Sequence, residues 1–403
     1  MTLIVQKYGG TSVGSIERIR AVADKVSAAR AQGHDVVVVV SAMSGETNRL
    51  LGLGKELAKR PDAREMDSLV ATGEQVTAAL LSIALMDRGI KAHSLVGAQT
   101  RIRTDGVFTK ARIQSIDVAP FRAAIDQGSV AVVAGFQGTD LHGNITTLGR
   151  GGSDTTGVAV AAALKADVCE IYTDVEGIYT TDPNVCKEAK KLQRVTFEEM
   201  LELASLGAKV LQLRSVEIAM KYGIPIHLRS SFKDVPGTIV GADDDSFESV
   251  VVTGIASDKN EVKVTMRDLP NKPGTVARVF GSLAEVNISV DMIIQTESRG
   301  DRADLTFTVT QTDLAHTRDV TERVSKEIGA GAVELADNVA KVSIVGAGMR
   351  SHAGVAAKMF KLLADQSINI QCITTSEIRV SCLIDKQLTD QAVRTLHQGF
   401  GLG

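Results

Sequence analysis

Apolar positions along the chain fall into two regimes. Through the first 240 residues, short apolar runs alternate with stretches of helical spacing: a strand over residues 3–6, a helix near 16–30, an apolar strand over 36–40, a helix over 68–88 and a short strand near 92–95. An apolar strand over 130–134 runs into a glycine-rich turn, a helix follows Ser153, and another apolar strand covers 168–173. Thr196 with Glu199 forms a capping box for a helix ending near Leu206. Strands separated by helices predict an α/β architecture, a mainly parallel sheet between helical layers. Two hairpins interrupt the alternation, residues 101–108 around Thr104-Asp105-Gly106 and 139–147 around His142-Gly143-Asn144, so the sheet is expected to be mixed.

The second regime begins after a small, acidic, turn-rich stretch at 240–246 that reads as a linker. Beyond it the sequence repeats itself at a constant offset of 80 residues. Val262 and Val264 fall on Val342 and Ile344, Gly274 on Gly354, Phe280 on Phe360, and Ile288, Val290 and Ile293 on Ile368, Ile370 and Ile373. Each copy reads as strand, glycine-containing loop, helix, strand, strand, helix, a half-open ferredoxin-like (βαββαβ) sandwich. The expected domains are 1–240, 261–338 and 339–403. The first copy finishes with a strand near 333–336, whereas the second ends after its helix, one strand short. The apolar segment 248–257 is expected to complete it, which would insert the first copy within the second.

Composition narrows the function. Over 403 residues, 45 Lys and Arg face 48 Asp and Glu, a net charge of -3. No basic surplus is available for nucleic acid or an anionic membrane. The longest uninterrupted apolar stretch, 158–164, is far below the ~18 residues of a membrane span, and the N-terminus shows no basic leader or signal-length apolar run, so a cytoplasmic location is expected. Cys169, Cys186, Cys372 and Cys382 form no Cys-x-x-Cys pair and read as reduced packing residues. The histidines are scattered without metal-ligand spacing.

The candidate chemistry sits in glycine-rich turns of the first domain. Lys7-Tyr8-Gly9-Gly10-Thr11-Ser12 lies between a strand and a helix, where amides and an ammonium can meet a phosphate; a plain structural turn has the same form. It is no Walker loop, since no Gly-Lys-Ser/Thr triplet occurs anywhere in the chain. Leu148-Gly149-Arg150-Gly151-Gly152-Ser153-Asp154 again precedes a helix, adding a guanidinium and a carboxylate, and a bland turn does not need that combination. Thr173-Asp174-Val175-Glu176-Gly177 leaves an apolar strand, where a carboxylate can hold ribose hydroxyls or the loop itself. The hydroxyl-rich loop 41–47 follows the strand 36–40, at the sheet edge where open α/β folds bind ligands.

These runs, with Gly73-Glu74, closely resemble the aspartate kinases of the amino-acid kinase superfamily, and the C-terminal repeat resembles that family's paired ACT domains. The resemblance spans essentially the whole chain. It implies a three-layer kinase sandwich followed by two ACT domains. It also implies transfer of phosphate from ATP, with Mg2+, to the side chain of L-aspartate, giving 4-phospho-L-aspartate for lysine, threonine and methionine synthesis. A side-chain carboxylate is already ionised at neutral pH, so it needs no general base, and the absence of a catalytic His or Cys motif fits. What the reaction needs is neutralisation of crowded negative charge.

By resemblance, Lys7, Asp154 and Lys209 serve catalysis; a solvated surface lysine is the alternative for Lys209. Ser41, Thr47, Glu74, Arg150, Gly151 and Ser153 bind aspartate, with Arg150 on its α-carboxylate and Glu74 on its ammonium. Lys7, Tyr8, Gly9, Gly10, Thr173, Asp174, Tyr179, Asp182 and Lys209 are carried over to the nucleotide. Magnesium is expected to arrive mainly through ATP oxygens, because no dense carboxylate cage is visible. Lysine and threonine are the implied feedback effectors, at Asn271, Gly274, Val276, Ala277, Gln295 and Thr296 in the first repeat and Val355, Asn369, Ile370, Thr375, Ser376 and Glu377 in the second. A homo-oligomer through the ACT domains is implied as well. Two rival readings are a kinase for glutamate or acetylglutamate, whose relatives generally lack such paired repeats, and a non-catalytic amino-acid sensor, which would have lost the charged residues present here.

Overall fold

The computed structural model describes residues 2–207, 210–243, 251–297 and 300–403. The chain divides into two compact units, one formed by Met1–Ile178, Lys191–Ala204 and Lys209–Ser246, the other by Tyr179–Lys190, Ser205–Ala208 and Phe247–Gly403.

The first unit is built on an eight-stranded sheet in the order Arg194–Thr196, Thr238–Gly241, Ile226–Ser230, Val168–Thr173, Leu3–Tyr8, Asp35–Val40, Val130–Ala134, Ala92–Leu95. Its neighbours are parallel except Ile226–Ser230 with Thr238–Gly241. Val36, Val37, Val38, Val39 and Val40 are all buried, as an unbroken apolar run requires when helices cover both faces of a sheet. On one face Val22 and Val26 of helix Ile16–Ala31 and Leu81 and Leu85 of helix Thr72–Met86 pack on Val36, Val38 and Val132. The helix Gly152–Leu164 covers the other face, with Gly157 so close that a Cβ there would lie 3.0 Å from that of Lys7, and Leu213–Tyr222 packs beside it. The result is three layers.

The structure corrects several local expectations. The two hairpins do not interrupt the main sheet; they build a separate four-stranded sheet, Ile113–Ile116, Ile102–Thr104, Gln137–Thr139, Ile145–Thr147. The first is also wider than Thr104-Asp105-Gly106 suggests, because the Asp105 carboxylate accepts from the N–H groups of both Val107 and Arg112 and so organises an eight-residue connection. A helix at Glu46–Leu57 was hidden by Gly52 and Gly54, which lower its propensity. The helix expected over 68–88 is two, Ala63–Val70, capped by Asp62, and Thr72–Met86. By length and composition this run, Ala63–Met86, could cross a membrane, a property missed when only uninterrupted apolar residues are counted. Half of its apolar window is buried within the unit, and Asp67 and Glu74 are buried along it, so it packs as a core helix.

The second unit carries one antiparallel six-stranded sheet, Ile293–Glu297, Arg302–Thr310, Gly254–Pro270, Val333–Val345, Arg379–Asp385, Cys372–Thr375. Its two central strands, 17 and 13 residues long, each serve both repeats. Residues 263–266 pair with 333–336, and after register shifts at Asp258 and Glu261, residues 254–258 pair with 341–345. A strand preceding the first repeat therefore lies beside the first strand of the second; residues 244–250, including the start of the segment read from sequence, lie outside the described residues. Helices Thr275–Glu285 and Val355–Asp365 stand 80 residues apart, each entered through a left-handed glycine, Gly274 and Gly354. Each repeat has its own core, Val262, Val264, Leu283 and Phe307 in one, Val342, Ile344, Met359 and Leu363 in the other.

Candidate active site

Four neighbouring parallel strands of the first unit, Val168–Thr173, Leu3–Tyr8, Asp35–Val40 and Val130–Ala134, release their loops at the same carboxyl edge. The chain steps from Leu3–Tyr8 to Asp35–Val40 on one side and places Val168–Thr173 on the other, so strand order reverses here, where open α/β sheets form ligand crevices. A cleft of about 420 Å3 lies at this edge, within the range of small-molecule sites. Its walls come from the loop at Gly9, Gly10 and Thr11, the loop from Ser41 to Gly45 with Thr47, Phe136, the turn from Gly149 to Asp154, and Thr173, with Lys7 and Glu74 between them. First-turn residues of the helices Glu46–Leu57, Thr72–Met86 and Gly152–Leu164 belong to this lining, so backbone N–H groups and positive dipole ends favour anions in it.

Strand alternation turns Lys7 toward helix Gly152–Leu164, in whose first turn Asp154 sits, and their ammonium and carboxylate form an ion pair with both side chains largely buried. The turn that delivers Asp154 depends on glycine at 151: its φ is 70°, and a Cβ would approach the Gln212 side chain to 1.8 Å. Glu74 is 3% exposed; its Oε1 accepts from the Ala42 N–H at 3.0 Å, while Oε2 is buried without a partner. Burial pushes this carboxyl up to about 7, against the smaller opposing effect of the Ala42 hydrogen bond. Arg150 is exposed on the same turn as Gly151. The cleft thus offers a paired ammonium, a guanidinium and a carboxyl with one unsatisfied oxygen, which together can hold a zwitterion beside a polyanion.

Lys7, Gly9, Gly10, Ser41, Thr47, Glu74, Arg150, Gly151, Ser153, Asp154 and Thr173 come together here. Tyr8 does not line the cleft: one position along the strand from Lys7, it faces the opposite layer, fully buried and stacked on Tyr172 at 4.7 Å. The Gly9 N–H donates to the Tyr172 carbonyl at 3.1 Å, fastening two strands. Asp174 is exposed and accepts from the Thr173 hydroxyl at 3.2 Å. Tyr179 and Asp182 belong to the second unit, where Asp182 organises a turn by accepting from the backbone and side chain of Asn184. Lys209 lies outside the described residues. Phe136 was not anticipated, although Gly135-Phe136 directly follows an apolar strand at the same edge; its φ of 67° is unusual for an aromatic residue.

Among the effector candidates, Asn271, Val276 and Gln295 line a small pocket at the start of helix Thr275–Glu285, where the Gln295 amide donates to Asn271 Oδ1 at 3.4 Å. Gly274 caps that helix, Ala277 lies in its first turn, and Thr296 is exposed on the adjoining edge strand. In the second repeat Val355 opens the helix, Asn369 is exposed, Ile370 packs against the core and Thr375 ends a strand. The Ser376 N–H donates to the Arg379 carbonyl, and Glu377 pairs with Arg350 at 3.1 Å.

The amino acid kinase family model matches residues 2–230, and ACT domain models match 264–329 and 342–400. The aspartokinase of Pseudomonas aeruginosa is 55% identical over 100% of this chain and 98% of its own length, and that of Helicobacter pylori 50% identical over 99% of each. Among solved structures, E. coli aspartokinase III in complex with aspartate and ADP matches with a TM-score of 0.82 at 28% identity, over 98% of this chain and 99% of that one. The same enzyme in complex with lysine and aspartate matches with a TM-score of 0.77 at 27% identity, over 99% of each. Full-length likeness at this identity, on a sandwich whose carboxyl-edge cleft gathers the expected charges, shows that the chain belongs to the aspartate kinases of the amino acid kinase family.

Proposed function

We propose that the first unit transfers the γ-phosphoryl group of ATP to the side-chain carboxylate of L-aspartate, yielding 4-phospho-L-aspartate and ADP, in the cleft around Lys7, Glu74 and Arg150. The observation that carries this reading is the buried, unpartnered Oε2 of Glu74 in a cleft that also holds a guanidinium and a paired ammonium. An unsatisfied buried carboxylate oxygen calls for a donor, and the substrate's ammonium is one; Arg150 matches the α-carboxylate in charge and fork geometry. The E. coli relative's complex with aspartate and ADP supports both substrates. Ser41, Thr47 and Ser153, which all line the cleft, hold aspartate, and Thr173 and Asp174 serve the nucleotide.

The acceptor carboxylate enters ionised, so attack on the γ-phosphorus needs no proton removal. Lys7, oriented by Asp154, neutralises charge as the phosphoryl group moves between oxygens, and helix N-termini around the cleft add fixed positive ends. Among the described residues no group of three His, Cys, Asp or Glu side chains is placed to hold a metal, so magnesium is read as entering with ATP as part of the substrate.

The second unit is read as regulatory, binding lysine and threonine on the loops at Asn271 and Val355 and joining chains edge to edge. The E. coli enzyme's complex with lysine supports the first effector. Both outer strands of the six-stranded sheet expose apolar side chains at equivalent positions, Ile293 and Ile373, which supports pairing between copies.

Steady-state kinetics test the assignments. Arg150→Ala is expected to raise the KM for aspartate far more than that for ATP, and Lys7→Ala to lower kcat with little change in either KM. Equal effects of Arg150→Ala on both substrates would move Arg150 to the nucleotide, and normal turnover in Lys7→Ala would end its catalytic role.

A further inference from the structure

Asp67 is a carboxylate that the chemistry above does not use. It is 1% exposed on helix Ala63–Val70 and does not line the cleft. Its Oδ2 accepts from the N–H groups of Thr109 at 2.9 Å and Thr147 at 2.8 Å, and its Oδ1 from the Thr147 hydroxyl at 2.7 Å. Burying a charge is costly unless donors surround it, and here all three donors come from the loop at Thr109 and the end of strand Ile145–Thr147, which meet at the stem of the Gly149–Arg150 turn.

Arg214, on helix Leu213–Tyr222, holds the same stem. It donates to the Leu148 carbonyl at 2.7 Å and the Ala111 carbonyl at 3.1 Å, while the Ala111 N–H donates to the Thr147 carbonyl and the Leu148 N–H to that of Phe136. Thr147 and Leu148 thus have their backbone N–H and C=O groups fixed, and a Cβ on Gly149 would lie 3.2 Å from the Thr109 carbonyl. Two residues after this clamped stem comes Arg150, whose own side chain is exposed. Rigid fixing of the backbone just before a long, exposed side chain sets where its guanidinium can reach.

We propose that Asp67 and Arg214 are positioning residues for aspartate recognition, fixing from two helices the turn that presents Arg150. This rests on the reading of Arg150 as the residue that binds the substrate α-carboxylate.

The test is steady-state kinetics on Asp67→Ala, Asp67→Asn, Arg150→Ala and the Asp67→Ala/Arg150→Ala double variant, with thermal melts alongside. Because misplacement by about 1 Å can cost ~100-fold, Asp67→Ala is expected to raise the KM for aspartate about tenfold or more, with the KM for ATP within about twofold. Asp67→Asn, which keeps an oxygen for the two backbone donors, is expected to recover most of the loss. In the Arg150→Ala background the Asp67 change should add less than about twofold, since no guanidinium remains to be positioned. An unchanged KM for aspartate in Asp67→Ala, equal effects on both substrates, or full multiplicativity with Arg150→Ala would overturn the proposal. An unchanged KM for aspartate in Arg150→Ala alone would instead overturn the reading beneath it. Should Asp67→Ala fail to fold, Thr147→Val and Arg214→Lys each remove part of the clamp and are expected to raise the KM for aspartate selectively by about threefold; a normal value in both refutes the proposal equally.

Discussion

Burial of Glu74 sets its ionisation against the stability of the free protein. Its carboxyl, ordinarily near 4.5, is pushed up to about 7, so the folded state binds its proton more tightly than the unfolded chain does. Below the unfolded value both states are protonated and nothing is lost; as pH rises toward 7 the penalty grows, and above 7 it is complete. At about 1.4 kcal/mol per pH unit, that penalty is on the order of 3 kcal/mol. Glu74→Gln is therefore expected to be more stable than the wild type at pH 8 in urea titrations without aspartate, with the gap shrinking as pH falls toward 4.5, and to bind aspartate worse. In the wild type the KM for aspartate is expected to rise as pH drops below 7, because the protonated carboxyl no longer attracts the ammonium. Equal stability of the two proteins at pH 8 would contradict the burial account. Lys7, Arg150 and Asp154, charges beside strand-to-helix glycines, do meet in one cleft, whereas Glu74, on a helix, was singled out by resemblance alone. Tyr8 was misleading: motif membership places a residue along the chain, but strand alternation decides which face it occupies.

Elements set by local period were readable, and those set by partners were not. The strands Ala92–Leu95, Val130–Ala134 and Val168–Thr173 lie where the apolar pattern puts them, and the Thr196–Glu199 capping box forms, with the Glu199 N–H donating to Thr196 Oγ1 and Glu199 Oε2 accepting from the Thr196 N–H. Strands at the ends of both repeats were read from the sequence, but not their fusion into the single long strands Gly254–Pro270 and Val333–Val345, whose double pairing depends on register shifts at Asp258 and Glu261. Beside that shift lies an ionic cluster: Lys341, 3% exposed, donates to Glu261 at 2.6 Å and pairs with Asp291. Burial raises the Glu261 carboxyl, with Lys341 opposing it, and the two carboxylates keep Lys341 charged despite its own burial. Lys341→Met removes the cation and strands a buried carboxyl between the central strands. It is expected to cost about 3–5 kcal/mol in denaturant unfolding of the second unit, whereas the Lys341→Met/Glu261→Gln double variant should recover much of the loss. A cost below about 1 kcal/mol for the single change would show the cluster to be well solvated.

At the scale of the whole molecule, the chain forms two compact units, the glycine-rich turns at Gly9 and Gly149 lying in the first and the repeat in the second. The segment Tyr179–Lys190, which follows the strand Val168–Thr173 in the sequence, folds within the second unit, where the Thr180 hydroxyl meets His397 Nε2 at 2.9 Å and the Thr180 carbonyl accepts from Ile255. That chain crossing was invisible to periodicity, because nothing local marks which core a loop joins. Lysine, threonine or both at millimolar levels are expected to lower the initial rate, through a coupling on the usual scale of ~1–3 kcal/mol, and Glu377→Ala, which loses its pairing with Arg350, to weaken that inhibition while leaving catalysis intact. Rates unaffected by either amino acid would remove regulation and leave the kinase chemistry standing. The account's central claim is phosphoryl transfer to the aspartate side chain, and trapping the acyl phosphate with hydroxylamine tests it most directly. With ATP and magnesium, the purified full-length protein is expected to form hydroxamate from aspartate and little from glutamate or acetylglutamate, and none without ATP. Hydroxamate from glutamate or acetylglutamate in preference to aspartate, or none from any acceptor, would contradict it.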